Sequence, residues 1–341
     1  MPRLKTALRT FLSLAAALLL LWGLAVWGDV SAATVAATLR RIPVGTWCTA
    51  LAVHCGIYAA RSLRFQMLMP AGERPSFGAV LAVSAAHNLA AYVLPARAGE
   101  ATFVLYLKGS RGVSTGAGLA SLVVSRMLDL ATLSAALAIA TAWLVGARGW
   151  TESPATSWFA VGLLALCAGL LFYASFAGKR LVGLAQRLVR LLGLGRSKLA
   201  RRLIERSEHL GDTLQLVREA GGIPTAVLLS LVVWGGVFLF YAILAGGFGL
   251  PENIGFVEAA FGSSIAVMTN ILPINSLAGF GTQEWGWAFG FGLLGVGREL
   301  AISTGVGVHL VQLANVCGLG LLGHLGMALW PKRPAAPRPS E

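Results

Sequence analysis

The sequence predicts an all-α, polytopic integral membrane protein with about six transmembrane helices and two re-entrant broken-helix hairpins in an inverted repeat. Of its 341 residues, 56% are hydrophobic and only 12% are charged, whereas about a quarter of an average soluble domain is charged. The charged residues separate long uncharged runs, and most of these runs reach the ~18 residues of a spanning helix. Proline and glycine interrupt two runs in a similar way. The bilayer is therefore the main solvent, and a soluble enzyme is not expected.

The first apolar run, residues 10–28, follows basic residues and predicts a first transmembrane helix with a cytoplasmic N-terminus. A signal peptide cleaved after Ala33 is the alternative, but the run is longer than the apolar region of a usual signal peptide. A short amphipathic stretch that ends at Arg41 is then expected outside the membrane.

Helix 2 is predicted over residues 44–69, with Arg61, Arg64 and Arg74 at its cytoplasmic end. The next apolar segment, residues 75–96, is broken near its end and is followed by a short helix with basic residues at its own end. Because both ends of this broken segment are basic, it predicts a re-entrant hairpin that enters and leaves on the cytoplasmic side.

The rest of the chain continues this alternation of apolar segments and loops. The basic linker is expected in the cytoplasm, either as an amphipathic helix on anionic lipid or as a solvated connector. The distribution of the basic residues along the chain predicts that both termini lie in the cytoplasm and that the chain lies in the cytoplasmic membrane. The predicted elements are helix 3 over 114–147, helix 4 over 155–177, the linker over 178–221, helix 5 over 222–249, a second broken segment from 256 to 298, helix 6 over 301–330 and a disordered tail over 331–341.

The two broken segments resemble each other and are predicted to enter from opposite faces. Inverted repeats with discontinuous helices around a binding site are a recurring transporter architecture, although a coincidence between two Leu-Pro breaks in a Leu-rich chain is the alternative. Each break leaves backbone N–H groups free to bind an anion. The shared elements are Phe77, Asn88, Pro95, Gly99 and Glu100 in the first segment, and Phe256, Asn270, Pro273, Gly279, Gly281 and Glu284 in the second.

Five charged residues fall in or beside the predicted membrane segments: Arg97, Glu100, Arg126, Asp129 and Glu284. Each costs on the order of 2.5–3.5 kcal/mol at the centre of a bilayer. Arg97 and Glu100, and likewise Arg126 and Asp129, are three residues apart and can pair on one helix face. Either these are two local salt bridges, or the five residues converge on a site. Two arginines suit a phosphate, because guanidinium offers paired donors and stays charged.

Other kinds of site have weak support. The cysteines and histidines lack metal-ligand spacing and no phosphate-binding loop is present, so neither a metal nor a cofactor is expected. The net charge of +13 lies in the loops, so a nucleic-acid partner is not expected. The histidines at 54, 87, 309 and 324 are interpreted as hydrogen-bonded packing residues, although His87 can titrate.

Four stretches resemble the lysylphosphatidylglycerol synthase transmembrane (flippase-like) family of bacterial and archaeal membrane proteins. The similarity covers about residues 10–330. Two departures are Ser125, where many members have an acid, and Ala278, where a second glycine is common. The matching stretches are Leu63-Arg64-Phe65, Asn88 with Pro95-x-Arg97-x-Gly99-Glu100, Arg126-x-x-Asp129, and Pro273 with Gly279-x-Gly281-x-x-Glu284.

The resemblance implies one flippase-like transmembrane domain over residues 1–330, with its halves at 1–177 and 222–330. It also implies that the protein translocates a lipid and is not an enzyme. Two alternatives stay open. The first is a membrane-embedded head-group transferase or phosphatase, and the second is a non-transporting partner of a lipid-biosynthetic enzyme. The expected partners are membrane lipids; the lipid, the energy source and the oligomeric state stay open. The expected substrate-binding residues are Arg97 and Arg126 on phosphate, Glu100, Asp129 and Glu284 for charge balance or proton coupling, and Asn88, Asn270, Gly99, Gly279 and Gly281.

Overall fold

A computed structural model of the chain describes residues 31–94, 99–149, 154–191, 221–271 and 277–329, together with a few isolated positions. Within these ranges the protein is helical and contains no strand. The ten helices are α1 (Ala32–Arg41), α2 (Val44–Met67), α3 (Phe77–Val93), α4 (Glu100–Arg111), α5 (Thr115–Arg148), α6 (Pro154–Leu191), α7 (Ile223–Gly247), α8 (Phe256–Ile271), α9 (Thr282–Leu293) and α10 (Arg298–Leu329).

Four described helices, α5, α6, α7 and α10, contain segments long and apolar enough to cross a membrane. The pair α1 and α2 reaches the same criterion together and bends by 82° between its members. The count in the described chain is therefore four spans, or five with the bent pair. Predicted helix 1 and the C-terminal tail lie outside the described ranges.

Polar side chains fix the starts of two helices, and glycine ends two others. The Ser31 hydroxyl accepts the Thr34 N–H at 3.1 Å at the start of α1, and Ser114 accepts the Ala117 N–H at 3.1 Å at the start of α5. Helices α4 and α5 each stop at a glycine with positive φ, where a left-handed residue terminates a helix at little cost. The sequence thus sets these boundaries locally.

The two ends of the first hairpin lie together, as a re-entrant hairpin requires. The Glu73 carboxylate before α3 accepts the backbone N–H of Ser114 after α4 at 2.6 Å and its hydroxyl at 3.1 Å. At roughly 26 Å and 18 Å, α3 and α4 are each shorter than the ~30 Å hydrocarbon core. Neither helix is therefore long enough to cross that core alone.

The chain repeats the order and length of four helices. Helices α2 to α5 have 24, 17, 12 and 34 residues, and α7 to α10 have 25, 16, 12 and 32. We call these sets the first unit and the second unit. Helix α2 packs against α7, α3 packs against α10, and α8 packs against α5, so the contacts between units are reciprocal.

The helix order is compatible with the predicted inverted repeat. Three helices of 24 or more residues, α2, α5 and α6, separate the start of α2 from the start of α7, and inversion of two units that each contain a re-entrant hairpin requires an odd number. At the end of α5 remote from Glu73, Arg148 donates to the backbone oxygen of Asn253 at 3.1 Å and pairs with Glu258 of α8 at 3.0 Å. This contact joins the end of α5 to the start of the second broken segment.

Glycines allow helices to approach closely, both between the units and within the second unit. A Cβ added at Gly323 of α10 would lie 2.6 Å from the backbone nitrogen of Ala86 on α3, and one at Gly290 of α9 would lie 2.6 Å from the Gly262 oxygen on α8. No real Cβ fits at such distances. The glycine content of the chain therefore serves the helix packing typical of membrane proteins.

Helix α6 is longer than predicted. It continues from the apolar span over 155–175 to Leu191, into the segment predicted as the linker 178–221. The sequence boundary was placed at the first basic residues, but those residues interrupt the apolar run without interrupting the helix. Residues 192–214 lie outside the described ranges.

Candidate functional site

A cavity of about 310 Å³ lies between the first and second units. Helices α2, α3, α4 and α5 line one part of it, and α7, α8, α10 and the turn before α9 line the rest. Polar groups inside a membrane bundle are costly and mark functional sites by default. The polar residues that line the cavity are His54, Arg61, Asn88, Tyr92, Glu100, Arg126, Asp129, Trp234, Tyr241 and Gln312.

The Asp129 carboxylate on α5 lies at the centre of the charged residues in the cavity wall. Its Oδ1 accepts hydrogen bonds from Arg64 Nη1 at 2.7 Å and from Trp234 Nε1 at 3.1 Å. Its Oδ2 accepts from Arg126 Nη1 at 3.2 Å. Because Trp234 lies on α7, both units bind the same carboxylate.

Arg64 lies in the last turn of α2, at the helix end where it was predicted, but its side chain is completely buried between α2, α5 and α7. In addition to Asp129, its Nη1 donates to Ser230 Oγ at 2.9 Å. Positive-inside counting treats a basic residue near a helix end as a loop charge, but a carboxylate on another helix compensates Arg64 inside the bundle. The sequence carries no sign of that partner.

Arg61 was also assigned to the cytoplasmic end of helix 2, and its contribution to the cavity was not predicted. It lies one turn before Arg64 and lines the cavity. Its Nε atom is buried and has no hydrogen-bond partner among the described residues. The spacing of three between the two arginines was a usable signal, since it places them on one face of α2.

Arg126 makes the predicted pair with Asp129 and a second pair that was not predicted. Its Nε lies 3.4 Å from Glu100 Oε2, at the start of α4. The side chain remains 39% exposed. Two carboxylates thus contact Arg126 although the family's usual acid at position 125 is a serine.

Arg97 lies outside the described residues, as do Pro95 and Pro273.

Neutral hydrogen-bonding groups form the other part of the wall. Asn88, predicted in the site, lines the cavity and donates to the Tyr58 hydroxyl. Gln312 of α10 accepts from Tyr241 at 2.9 Å and donates to Tyr92 of α3. Sequence reasoning missed Gln312, Tyr92, Tyr241 and Trp234 because they are uncharged and follow no shared spacing. Asn270 belongs to α8, but its side chain is outside the described part of the protein.

Glu284 lies behind the cavity wall and holds the turn before α9. Its fully buried carboxylate accepts the Gly281 N–H at 2.7 Å through Oε2 and contacts His309 Nδ1 at 2.7 Å through Oε1. The other ring nitrogen, Nε2, lies 3.0 Å from the Ala278 oxygen. Ala278 and Gly279, which line the cavity, both have positive φ. Glu284 and His309 therefore stabilise a strained part of the wall.

The His309 ring is held on both sides. Both ring nitrogens face oxygen atoms, one a backbone carbonyl and the other a carboxylate. His309 is hydrogen-bonded, as expected, and it is also the partner of a predicted site residue.

The remaining predicted glycines have different places. Gly279 lines the cavity, whereas Gly281 has φ +84° and begins α9 beside Glu284. Gly99 packs against α3: an added Cβ would lie 2.3 Å from Ala91 Cα, and its carbonyl contacts His87 Nδ1 at 3.0 Å. Gly99 thus permits the tight approach of α4 to α3.

The arrangement suits binding of an anion beside neutral donors. Arginines and amide groups face or flank the space, and carboxylates hold two of the arginines in place. Within the described ranges, no group of three or more His, Cys, Asp or Glu residues is arranged to hold a metal ion.

Comparison with known proteins agrees with this architecture. The family model of the lysylphosphatidylglycerol synthase TM region matches residues 10–320, which confirms the resemblance identified in the sequence. A search of curated proteins gave no match.

Proposed function

Because the chain belongs to the lysylphosphatidylglycerol synthase transmembrane family, we propose that it moves a lipid with an anionic head group across the cell membrane. The observation that carries this proposal is the polar cavity between the two units. Discontinuous helices from two opposed repeats form the binding sites of many transporters. In the proposed movement, the head group occupies the cavity while the acyl tails remain in the lipid.

The dimensions and surroundings of the cavity support a head group as the occupant. Its volume of about 310 Å³ is at the lower end of small-molecule sites, which is too small for a head group together with two long acyl chains. Outside the cavity, the helices present large exposed apolar side chains, including Phe159 and Leu163 on α6. The tails can therefore follow the protein's outer surface.

We place both termini on the cytoplasmic side, because the basic linker over 178–221 and the basic tail over 331–341 favour that side. The proposed activity is transport without chemical change to the lipid. A head-group transferase or phosphatase, or a non-transporting partner in lipid biosynthesis, would give a different result in the experiment below.

The test is lipid movement in proteoliposomes that carry a fluorescent anionic phospholipid in both leaflets. Wild-type protein is expected to expose inner-leaflet lipid to an impermeant quencher, and Arg126→Gln is expected to slow this exposure at least about tenfold, as loss of a charge-assisted contact predicts. Arg40→Gln, a change on the exposed face of α1, serves as the matched control.

Quenching equal to that of protein-free vesicles would refute transport. The mass of the lipid is measured before and after the incubation. A changed head-group mass would identify an enzyme instead, and an unchanged mass with no movement would favour a non-transporting partner.

A further inference from the structure

Three described arginines lie in or against the cavity, and two of them are held by carboxylates. Arg64 is completely buried in its ion pair with Asp129. Arg126 bridges Asp129 at 3.2 Å and Glu100 at 3.4 Å. These contacts fix both guanidinium groups and give each cation a carboxylate partner.

Arg61 differs from the other two because it lines the cavity and no salt bridge joins it to a described carboxylate. Its Nε is buried without a hydrogen-bond partner in the described part of the chain. Arg64 also has unpaired buried donors, Nε and Nη2, but it does not line the cavity. An unsatisfied buried donor carries a desolvation penalty, and an anion in the cavity would supply the missing acceptor to Arg61.

The position of Arg61 on α2 directs it into the binding space. His54 and Ile57 also line the cavity and precede Arg61 by seven and four residues, so one face of α2 forms a continuous strip of the wall. Apolar groups such as Val237 and Phe240 of α7 complete the lining. A charge is poorly screened in such surroundings, so its interaction with an anion is strong.

We propose that Arg61 is the anion-binding residue of the cavity and that it binds the phosphodiester of a lipid head group. This inference rests on the proposed function. Among the described residues of the cavity and its immediate wall, the three arginines outnumber the carboxylates Asp129 and Glu100 by one charge. A phosphodiester carries one negative charge, and its two free oxygens match the paired donors of guanidinium. A phosphomonoester, with up to two charges, would exceed that balance.

The test measures binding of short-chain lipids to the full-length protein in detergent. The probes are dihexanoyl phosphatidylglycerol, a diester; dihexanoyl phosphatidic acid, a monoester; and dimethyl phosphate, a diester without acyl chains. The variants are Arg61→Gln and Arg61→Lys, with Arg40→Gln as the control. Thermal unfolding of each variant verifies that it is folded.

Arg61→Gln is expected to weaken binding of the lipid diester at least about tenfold, the loss typical of one charge-assisted hydrogen bond. Arg61→Lys keeps the charge but loses the paired donors, so an intermediate affinity is expected. Wild-type protein should bind the lipid diester more tightly than the monoester or dimethyl phosphate.

An unchanged affinity in folded Arg61→Gln would overturn the proposal. If Arg61→Gln does not fold, Arg61→Lys decides, since an affinity equal to wild type would show that the paired donors bind nothing. Tighter binding of the monoester would overturn the diester assignment, and equal binding of dimethyl phosphate would overturn the lipid assignment.

The proteoliposome assay separates this proposal from the proposed function. Binding that depends on Arg61 without any lipid movement would contradict transport and leave the binding role intact. Movement at the wild-type rate with unchanged binding in Arg61→Gln would contradict the binding role and leave transport intact.

Discussion

Arg64 of α2 donates to Asp129 of α5 at 2.7 Å, although the two residues are 65 positions apart and both are buried. This ion pair connects the first and last helices of the first unit. The hydrogen bond from Trp234 to the same carboxylate extends the connection to the second unit. The stability of the bundle and the geometry of its cavity therefore depend on the same carboxylate.

Replacing Asp129 with asparagine should destabilise the protein strongly. The change leaves the completely buried Arg64 without a counter-charge, and breaking a buried ion pair from one side costs about 3–5 kcal/mol. Thermal unfolding in detergent measures the loss. The double variant Arg64→Leu/Asp129→Asn removes the stranded charge and should recover much of the stability. A double variant that is less stable than Asp129→Asn would contradict this explanation.

Replacing Glu284 with alanine should loosen the turn before α9. Alanine has no side-chain acceptor, so the Gly281 N–H and the His309 ring lose their partner, and an unsatisfied buried group costs about 1–3 kcal/mol. Hydrogen exchange of the peptide that contains Ala278 should become faster, whereas the Glu73–Ser114 region should keep wild-type exchange. Equal acceleration in both regions would indicate general unfolding instead.

Replacing Gly323 with alanine should force α10 away from α3. The added Cβ would lie 2.6 Å from the Ala86 nitrogen and 2.7 Å from the Ala82 oxygen, and overpacking costs typically about 1–3 kcal/mol. Gly318→Ala on the same helix is the matched control, because its Cβ would meet nothing within 4 Å. Thermal unfolding should show a lower midpoint only for Gly323→Ala, and equal midpoints would argue against the α3–α10 contact.

Cysteine labelling in intact cells should place the two units on opposite sides of the membrane. In a background without native cysteines, Glu252→Cys precedes the second hairpin and Ala71→Cys precedes the first, and both positions are exposed. A membrane-impermeant maleimide should label position 252 from outside and position 71 only after the cells are opened. Labelling of both positions from the same side would contradict the inverted repeat.

The sequence was sufficient to predict the helices, because their boundaries depend on local features. Apolar length, caps such as Ser114 and terminating glycines such as Gly149 are readable along the chain. The pairing of Arg126 with Asp129 was also predictable, since both lie on one helix face. The end of α6 was not, because the basic residues after position 178 end its apolar run but not its helix.

The cavity was only partly predictable because most of its contacts join distant segments. Glu100 was identified, but its partner Arg126 is 26 residues away. Arg61 was assigned to a cytoplasmic helix end, and its place in the cavity lining was not predicted. Gln312 had no charge to draw attention to it. Such residues become recognisable only when the helices that carry them are packed together.

The reciprocal packing of the units also determines the order in which the protein can be completed during synthesis. Helix α3 emerges from the ribosome long before α10, the helix against which it packs. Until α10 is inserted, the small-residue surface around Ala82 and Ala86 lacks the helix that packs against it. Because Gln312 belongs to α10, the cavity closes last. A nascent chain arrested before α10 therefore has most of its spans and no complete binding chamber.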